Sequence, residues 1–174
     1  EKTLCIEPEK ILDSITNKTK IILPVHFGGF SSDLAEISKI CKKNKIHLIE
    51  DAAHSTGATY KNRKIGSHGD LVCFSFHPVK NLAMPTGGLI AINSKNYKKI
   101  EKTLKEKRWC GITNRKGANY DVKNIGWNYY MNEFSAAIGL EQLKKLNHTN
   151  NRRKEIAKTY SQKILTEKKM LFDN

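Results

Sequence analysis

At 174 residues the chain is long enough for one domain with a real core and too short for two comfortable ones. Lys+Arg 31 against Asp+Glu 17 gives a net charge of +14, but only Arg63, Arg108, Arg115, Arg152 and Arg153 are arginines, and the 26 lysines are dispersed. That pattern argues against a sequence-specific nucleic-acid reader, which concentrates arginine, and for a solvated lysine-rich surface compatible with an anionic substrate.

Pro8 in a first turn followed by Ile11, Leu12 and Ile15 predicts a short amphipathic helix. Lys20 to Val25 reads as a buried strand, apolar on both faces as a parallel sheet requires, and His26-Phe27-Gly28-Gly29 breaks it. His26, at that strand end, either contacts a ligand or supports the loop. Ser32 or Asp33 caps the next helix with Glu36 reaching back, while Leu34, Ile37, Ile40 and Cys41 share one face. Lys42, Lys43 and Lys45 suit its C-terminus. Ile46 to Glu50 is the following strand, so residues 20 to 51 make a β-α-β unit. Its right-handed crossover places both strand ends on one sheet edge.

Tyr60 to Gly66 reads as a hairpin-like excursion. Asp70 to Phe76 is a strand with Leu71, Cys73, Ser75 and His77 on one face and Val72, Phe74 and Phe76 on the other. Ser75 is the odd polar group in that apolar run and needs a partner. Pro78 cannot donate to a ladder, so pairing stops before it and Lys80 is held just beyond the strand. Gly87-Gly88 turns into a strand through Ile92, and Ser94 opens a helix with Tyr97, Ile100 and Leu104 on its apolar face. Residues 109 to 128, with scattered Gly, Asn and Thr, read as a loop that is functional or badly ordered. Asn132 starts a helix through Leu146, with Ser135, Ala136, Ala137 and Gly139 permitting close packing. Asn147 to Asn150 is expected to break it before a second helix bearing Ile156, Ala157, Tyr160 and Ile164.

Cys5, Cys41, Cys73 and Cys110 lie far apart with no C-x-x-C pair, which points to reduced thiols instead of a disulfide framework or zinc site. Cys73 and His77 share strand parity, but two ligands do not make a tetrahedral metal site. No apolar run reaches membrane-spanning length and no signal-peptide pattern opens the chain, so a cytoplasmic location is expected.

Two apolar strands thus end at chemistry-bearing residues, Asp51 and Lys80, which a parallel sheet brings to one crevice. Such a pair suits pyridoxal phosphate (PLP): a lysine amine takes the aldehyde and a carboxylate keeps the pyridine nitrogen protonated. The motifs EDAAHSTGA (50 to 58), GSHGDLVCFSFHPVKN (66 to 81), TGG (86 to 88) and GWNYYMNEFSAAIGLEQL (126 to 143) occur in that order. They resemble the DegT/DnrJ/EryC1/StrS family of sugar aminotransferases, over about Ile6 to Tyr160.

The resemblance implies an α/β fold, the large domain of a PLP-dependent fold type I transferase, with a mostly parallel sheet and helices on both faces. It implies that Lys80 carries the cofactor and acts as nucleophile and then general base. Asp51 would pair with the pyridinium nitrogen, His54 would meet the ring or its phenolic oxygen, and Ser75 would hold the phosphate. Asn128 matches an asparagine that reaches the phosphate of the other subunit, which implies a homodimer sharing its sites. Tyr130 departs from the pattern, where arginine is frequent. The implied reaction moves an amino group from an amino acid, glutamate being the implied donor, to a keto sugar linked to a nucleotide, in amino-sugar and cell-surface polysaccharide biosynthesis. A deoxysugar dehydratase branch of the same family replaces the lysine by histidine, and Lys80 argues against it. A non-catalytic basic binding fragment is the competing reading from another class. Family members extend beyond both Glu1 and Asn174, so the chain is expected to be internal. Residues 1 to 148 would be part of the large domain, without its upstream phosphate-binding turn, and 149 to 174 would lead into a small C-terminal domain.

Overall fold

The computed structural model describes residues 3–172, with side chains through residue 164. The last residues of the expected 149 to 174 segment lie outside it.

Helix α1 (Pro8–Ser14) carries proline in its first turn and buries Ile11. Strand β1 (Ile21–Ile22), helix α2 (Leu34–Asn44) and strand β2 (His47–Asp51) then form the β-α-β unit, with Ile21 opposite His47 and Ile22 opposite Leu48 in parallel register. β1 is shorter than expected, because Pro24 has no N–H to give to a ladder and leaves Val25 only an isolated parallel bridge to Asp51. Burial also alternates along this stretch: Ile22, Pro24 and His26 are buried, whereas Ile21, Leu23 and Val25 are exposed.

Asp33 caps α2 by accepting the Glu36 N–H at 3.3 Å. The Glu36 carboxylate does not reach back as expected; it lies 2.6 Å from the Lys39 ammonium one turn on. Lys45, in a left-handed conformation at φ 56°, ends the helix. Leu34, Ile37, Ile40 and Cys41 are buried, as their spacing predicts, against Ile22, Leu48 and Val72 of the sheet.

After a short hairpin, β3 (Thr59–Tyr60) and β4 (Arg63–Lys64), strand β5 (Leu71–Ser75) lies parallel to β2, with Ile49 opposite Leu71 and Asp51 opposite Cys73. Strand β6 (Gly88–Ile92) closes the order β1-β2-β5-β6 and runs antiparallel to β5. The sheet is therefore mixed and mostly parallel.

Helix α3 (Tyr97–Arg108) follows. The stretch expected as a loop then folds into a hairpin, β7 (Ile112–Lys116) and β8 (Asn119–Val122), with Gly117 at φ 60° in its turn and an irregularity between Thr113 and Lys116. That irregularity and the polar run Asn114-Arg115-Lys116 hide the two-residue period that marks a strand. Helix α4 (Glu133–Phe172) is one continuous helix, so the break expected at Asn147 to Asn150 does not occur. Asn, His and Thr each disfavour a helix by less than about 0.7 kcal/mol, and no Gly or Pro follows Gly139. Asn150 gains a tertiary bond instead, donating its side-chain amide to the Thr56 carbonyl at 3.0 Å.

Candidate functional site

The carboxyl ends of β1, β2 and β5 meet at one edge. Asp51, the last residue of β2, donates its N–H to the Pro24 carbonyl at 2.9 Å and accepts the His26 N–H on its own carbonyl at 3.0 Å. One carboxylate oxygen, Oδ1, accepts the Ala53 N–H at 3.0 Å. The other is left for a partner. Asp51 is registered with Cys73, so both side chains lie on one face, and Ser75 follows two residues along that face. The half-buried Cys73 thiol is held above its usual pKa by burial first and by the Asp51 charge second.

His54 lies three residues past Asp51. Its Nδ1 accepts the Gly28 N–H at 3.2 Å, so in the neutral ring the proton resides on Nε2. Gly28 presents that N–H from φ 59°, a backbone conformation that glycine adopts freely. Phe27 packs edge-on against the His54 ring, with centroids 5.8 Å apart.

Ser75 ends β5, and its Oγ accepts the His77 N–H at 3.4 Å, which leaves the hydroxyl hydrogen to donate. The chain then folds into a tight loop before β6. Phe76 N–H donates to Gly87 and Met84 N–H to Phe76, both at 2.9 Å, while Lys80 N–H donates to the His77 carbonyl at 2.8 Å. Leu82 and Met84 are buried beneath. Lys80 is thus half-buried on an anchored loop, just past the strand that Pro78 cannot extend.

The structure accordingly brings Asp51, His54, Ser75 and the Lys80 loop to one edge, and does not bring Asn128 to them. Asn128 is exposed and bridges Trp109 at the base of the β7–β8 hairpin; among the described residues no hydrogen bond joins it to the other four. Its neighbour Tyr130 packs on Trp109 with centroids 5.0 Å apart and donates its hydroxyl to Glu133 at 3.2 Å. A groove of about 710 Å³ between α3 and the hairpin is lined by Lys102, Lys105, Arg108, Trp109, Arg115 and Tyr130. None of the five candidate residues lines it.

Two features of this edge escape the sequence reading. Glu50 is fully buried, with Oε2 2.8 Å from the equally buried His26 Nε2 and Oε1 accepting the Gly69 N–H. Its only signal in the sequence is a charge inside an apolar strand, which burial tolerates only with partners. His26 supports the loop: its Nδ1 accepts the Ser32 N–H at 3.1 Å. Asn150 is the second feature, a helix residue that pins the loop carrying His54 from a distance of 94 residues along the chain. Among the described residues no group of three or more His, Cys, Asp or Glu is placed to hold a metal ion. None of their helices is long and apolar enough to cross a membrane.

A sequence profile of the DegT/DnrJ/EryC1/StrS aminotransferase family matches residues 1–171. Uncharacterized protein MJ1066 of Methanocaldococcus jannaschii is 36% identical over 169 residues, covering 94% of this chain and 44% of that protein. Among solved structures, PseC of Helicobacter pylori, an aminotransferase involved in the biosynthesis of pseudoaminic acid, superposes with a TM-score of 0.87 at 30% identity, over 93% of this chain and 43% of its own. Spr1654 of Streptococcus pneumoniae, solved in a PLP form, gives a TM-score of 0.84 at 27% identity, over 91% of this chain and 44% of its own. The chain thus spans less than half the length of each of these relatives. With both sequence and fold matched over nearly its whole length, the chain belongs to the DegT/DnrJ/EryC1/StrS aminotransferase family.

Proposed function

We propose that the protein carrying this chain is a PLP-dependent sugar aminotransferase that moves an amino group from glutamate to a keto group on a nucleotide-linked sugar. The observation that carries this reading is the convergence of Asp51 and the Lys80 loop at the ends of adjacent parallel strands, β2 and β5. The donor set at that edge fits the cofactor: a primary amine for its aldehyde, a carboxylate with one uncommitted oxygen for its ring nitrogen, an imidazole for its ring, and a hydroxyl for its phosphate. PLP in a solved relative supports PLP as the cofactor.

When bound, PLP supplies an electron sink for the carbanion left as a proton departs the amino-bearing carbon. The chain's own residues do the rest. Lys80 Nζ would hold the cofactor through its aldehyde and, as a free amine, would serve as the general base that moves the proton. Asp51 holds the ring N–H and so keeps the sink effective. His54 orients the ring, with Nε2 available because Gly28 occupies Nδ1. Ser75 donates its hydroxyl to the phosphate. In a cytoplasmic homodimer, Asn128 and the hairpin beside it reach the partner's phosphate, which accords with the exposure of Asn128. Residues 1 to 148 form part of the large domain, and 149 to 174 lead into a small C-terminal one.

The full-length protein loaded with PLP and mixed with glutamate should convert its bound cofactor to the amine form and release 2-oxoglutarate. A nucleotide-linked keto sugar should then regenerate the aldehyde form. No conversion by glutamate or any other amino acid, or release of water from the sugar without amine transfer, would overturn the reading.

A further inference from the structure

Glu50 and His26 lie behind the sheet, on the opposite side of β2 from Asp51. Both are fully buried, and Ser32, Ser55 and Gly69 converge on them. Glu50 Oε2 accepts from His26 Nε2 at 2.8 Å, and Oε1 accepts from Gly69, the residue leading into β5. His26 Nδ1 accepts the Ser32 N–H at 3.1 Å, and the His26 carbonyl accepts the Ser55 hydroxyl at 3.3 Å. Because Nδ1 accepts from Ser32, the neutral ring carries its proton on Nε2, aimed at the carboxylate. Gly69 has no room for a side chain here: a Cβ would sit 2.8 Å from Glu50 Oε1 and 2.9 Å from the Leu48 carbonyl.

This buried pair is wired to the front of the sheet through the backbone. The His26 N–H holds the Asp51 carbonyl at 3.0 Å, and Gly28, two residues on, holds His54 Nδ1 at 3.2 Å. Glu50 is itself the neighbour of Asp51. We infer that the Glu50–His26 pair is a positioning device that fixes the Asp51 carboxylate and the His54 ring from behind the sheet, touching neither cofactor nor substrate. The inference rests on the cofactor reading above.

Glu50→Gln is the discriminating substitution. Two N–H donors, from His26 and Gly69, converge on the side chain, and glutamine offers one acceptor oxygen where glutamate offers two. Either the Gly69 backbone shifts, or the His26 ring turns and releases Ser32. The full-length holoenzyme is compared with Glu50→Gln and with Ile37→Val, a core truncation in α2 that serves as a stability control. At a temperature well below unfolding, Glu50→Gln should lose at least half of the visible circular dichroism per bound PLP and about tenfold or more in kcat, a 1.4 kcal/mol change, with KM moved less. Ile37→Val should retain both signals. If Glu50→Gln does not fold, His26→Asn carries the test, since its side-chain oxygen still reaches Ser32 while its link to Glu50 is lost; the same loss of signal is expected. Dichroism per PLP and kcat both within twofold of wild type, whatever the fall in melting temperature, would overturn the inference and make the pair a scaffold only. Wild-type protein that takes up no PLP would overturn the underlying cofactor reading with it.

Discussion

Asp51 and His54 are three residues apart, yet their expected contributions differ by orders of magnitude. Losing a charge that pairs with a buried cation costs about 3 to 5 kcal/mol, and about 1.4 kcal/mol is one decade. Asp51→Asn should therefore slow amino transfer by roughly two to three and a half decades if that cost falls on the transition state, while the cofactor still attaches at Lys80. A neutral hydrogen bond is worth about 0.5 to 1.5 kcal/mol, so His54→Ala should cost about tenfold or less. Single-turnover conversion of bound PLP to its amine form separates this chemistry from binding. Near-normal turnover in Asp51→Asn with none in His54→Ala would reverse the two assignments. At this scale the placement of Asp51, Ser75 and Lys80 at or just beyond strand ends is legible in the sequence, because each is a polar residue where an apolar strand stops or departs from its pattern. Glu50 shows the limit. A carboxylate within Leu48-Ile49-Glu50 must have partners, but that they are His26, 24 residues away, and Gly69 is decided only when three strand ends meet.

Helix α2 follows from its sequence almost completely. Its cap, apolar stripe and basic C-terminal turn are all local signals, and they agree. The Asp33 carboxylate serves it twice, accepting from the Tyr60 hydroxyl at 2.6 Å and from the Glu36 N–H. These bonds, Tyr60 foremost and opposed by some burial, hold its pKa below the ordinary value. The contribution to stability is therefore present above the unfolded-state pKa, about 3.9, and is lost as pH falls through the lower folded value. Asp33→Asn should flatten the acid limb of the stability–pH curve, measured by denaturant unfolding between about pH 2 and 5, with the cost appearing at neutral pH, where the charged form contributes, and vanishing at the acid end, since asparagine keeps the cap itself. An unchanged acid limb would show that Asp33 does not titrate with folding. The β7–β8 hairpin and the unbroken α4 were not legible for opposite reasons. In the hairpin, polar residues and a register shift erase the strand period. In α4, Asn147 to Asn150 look like a loop, but their small intrinsic cost is outweighed by helix continuity and by the Asn150 bond to Thr56.

On the scale of the whole molecule, the mostly parallel sheet is what turns two distant stretches of sequence into one candidate site. β2 and β5 run the same way and are hydrogen-bonded neighbours, so their termini at Asp51 and Ser75, and the Lys80 loop beyond, share an edge. The parallel direction of β1 and β2 was legible from the β-α-β pattern; the neighbours of β5 and the antiparallel direction of β6 were not, since the connection at residues 76–87 permits that direction without requiring it. Asn128 is exposed and bridges Trp109, and the role proposed for it is on the phosphate of a second copy of the chain. The central claim is that Lys80 is the one lysine among 26 that binds the cofactor. It is tested most directly by reducing the PLP-loaded full-length protein with borohydride, digesting it and mapping the pyridoxyl group by mass spectrometry. The account predicts a single labelled peptide with the group on Lys80; a label on any other lysine, or none, would contradict it.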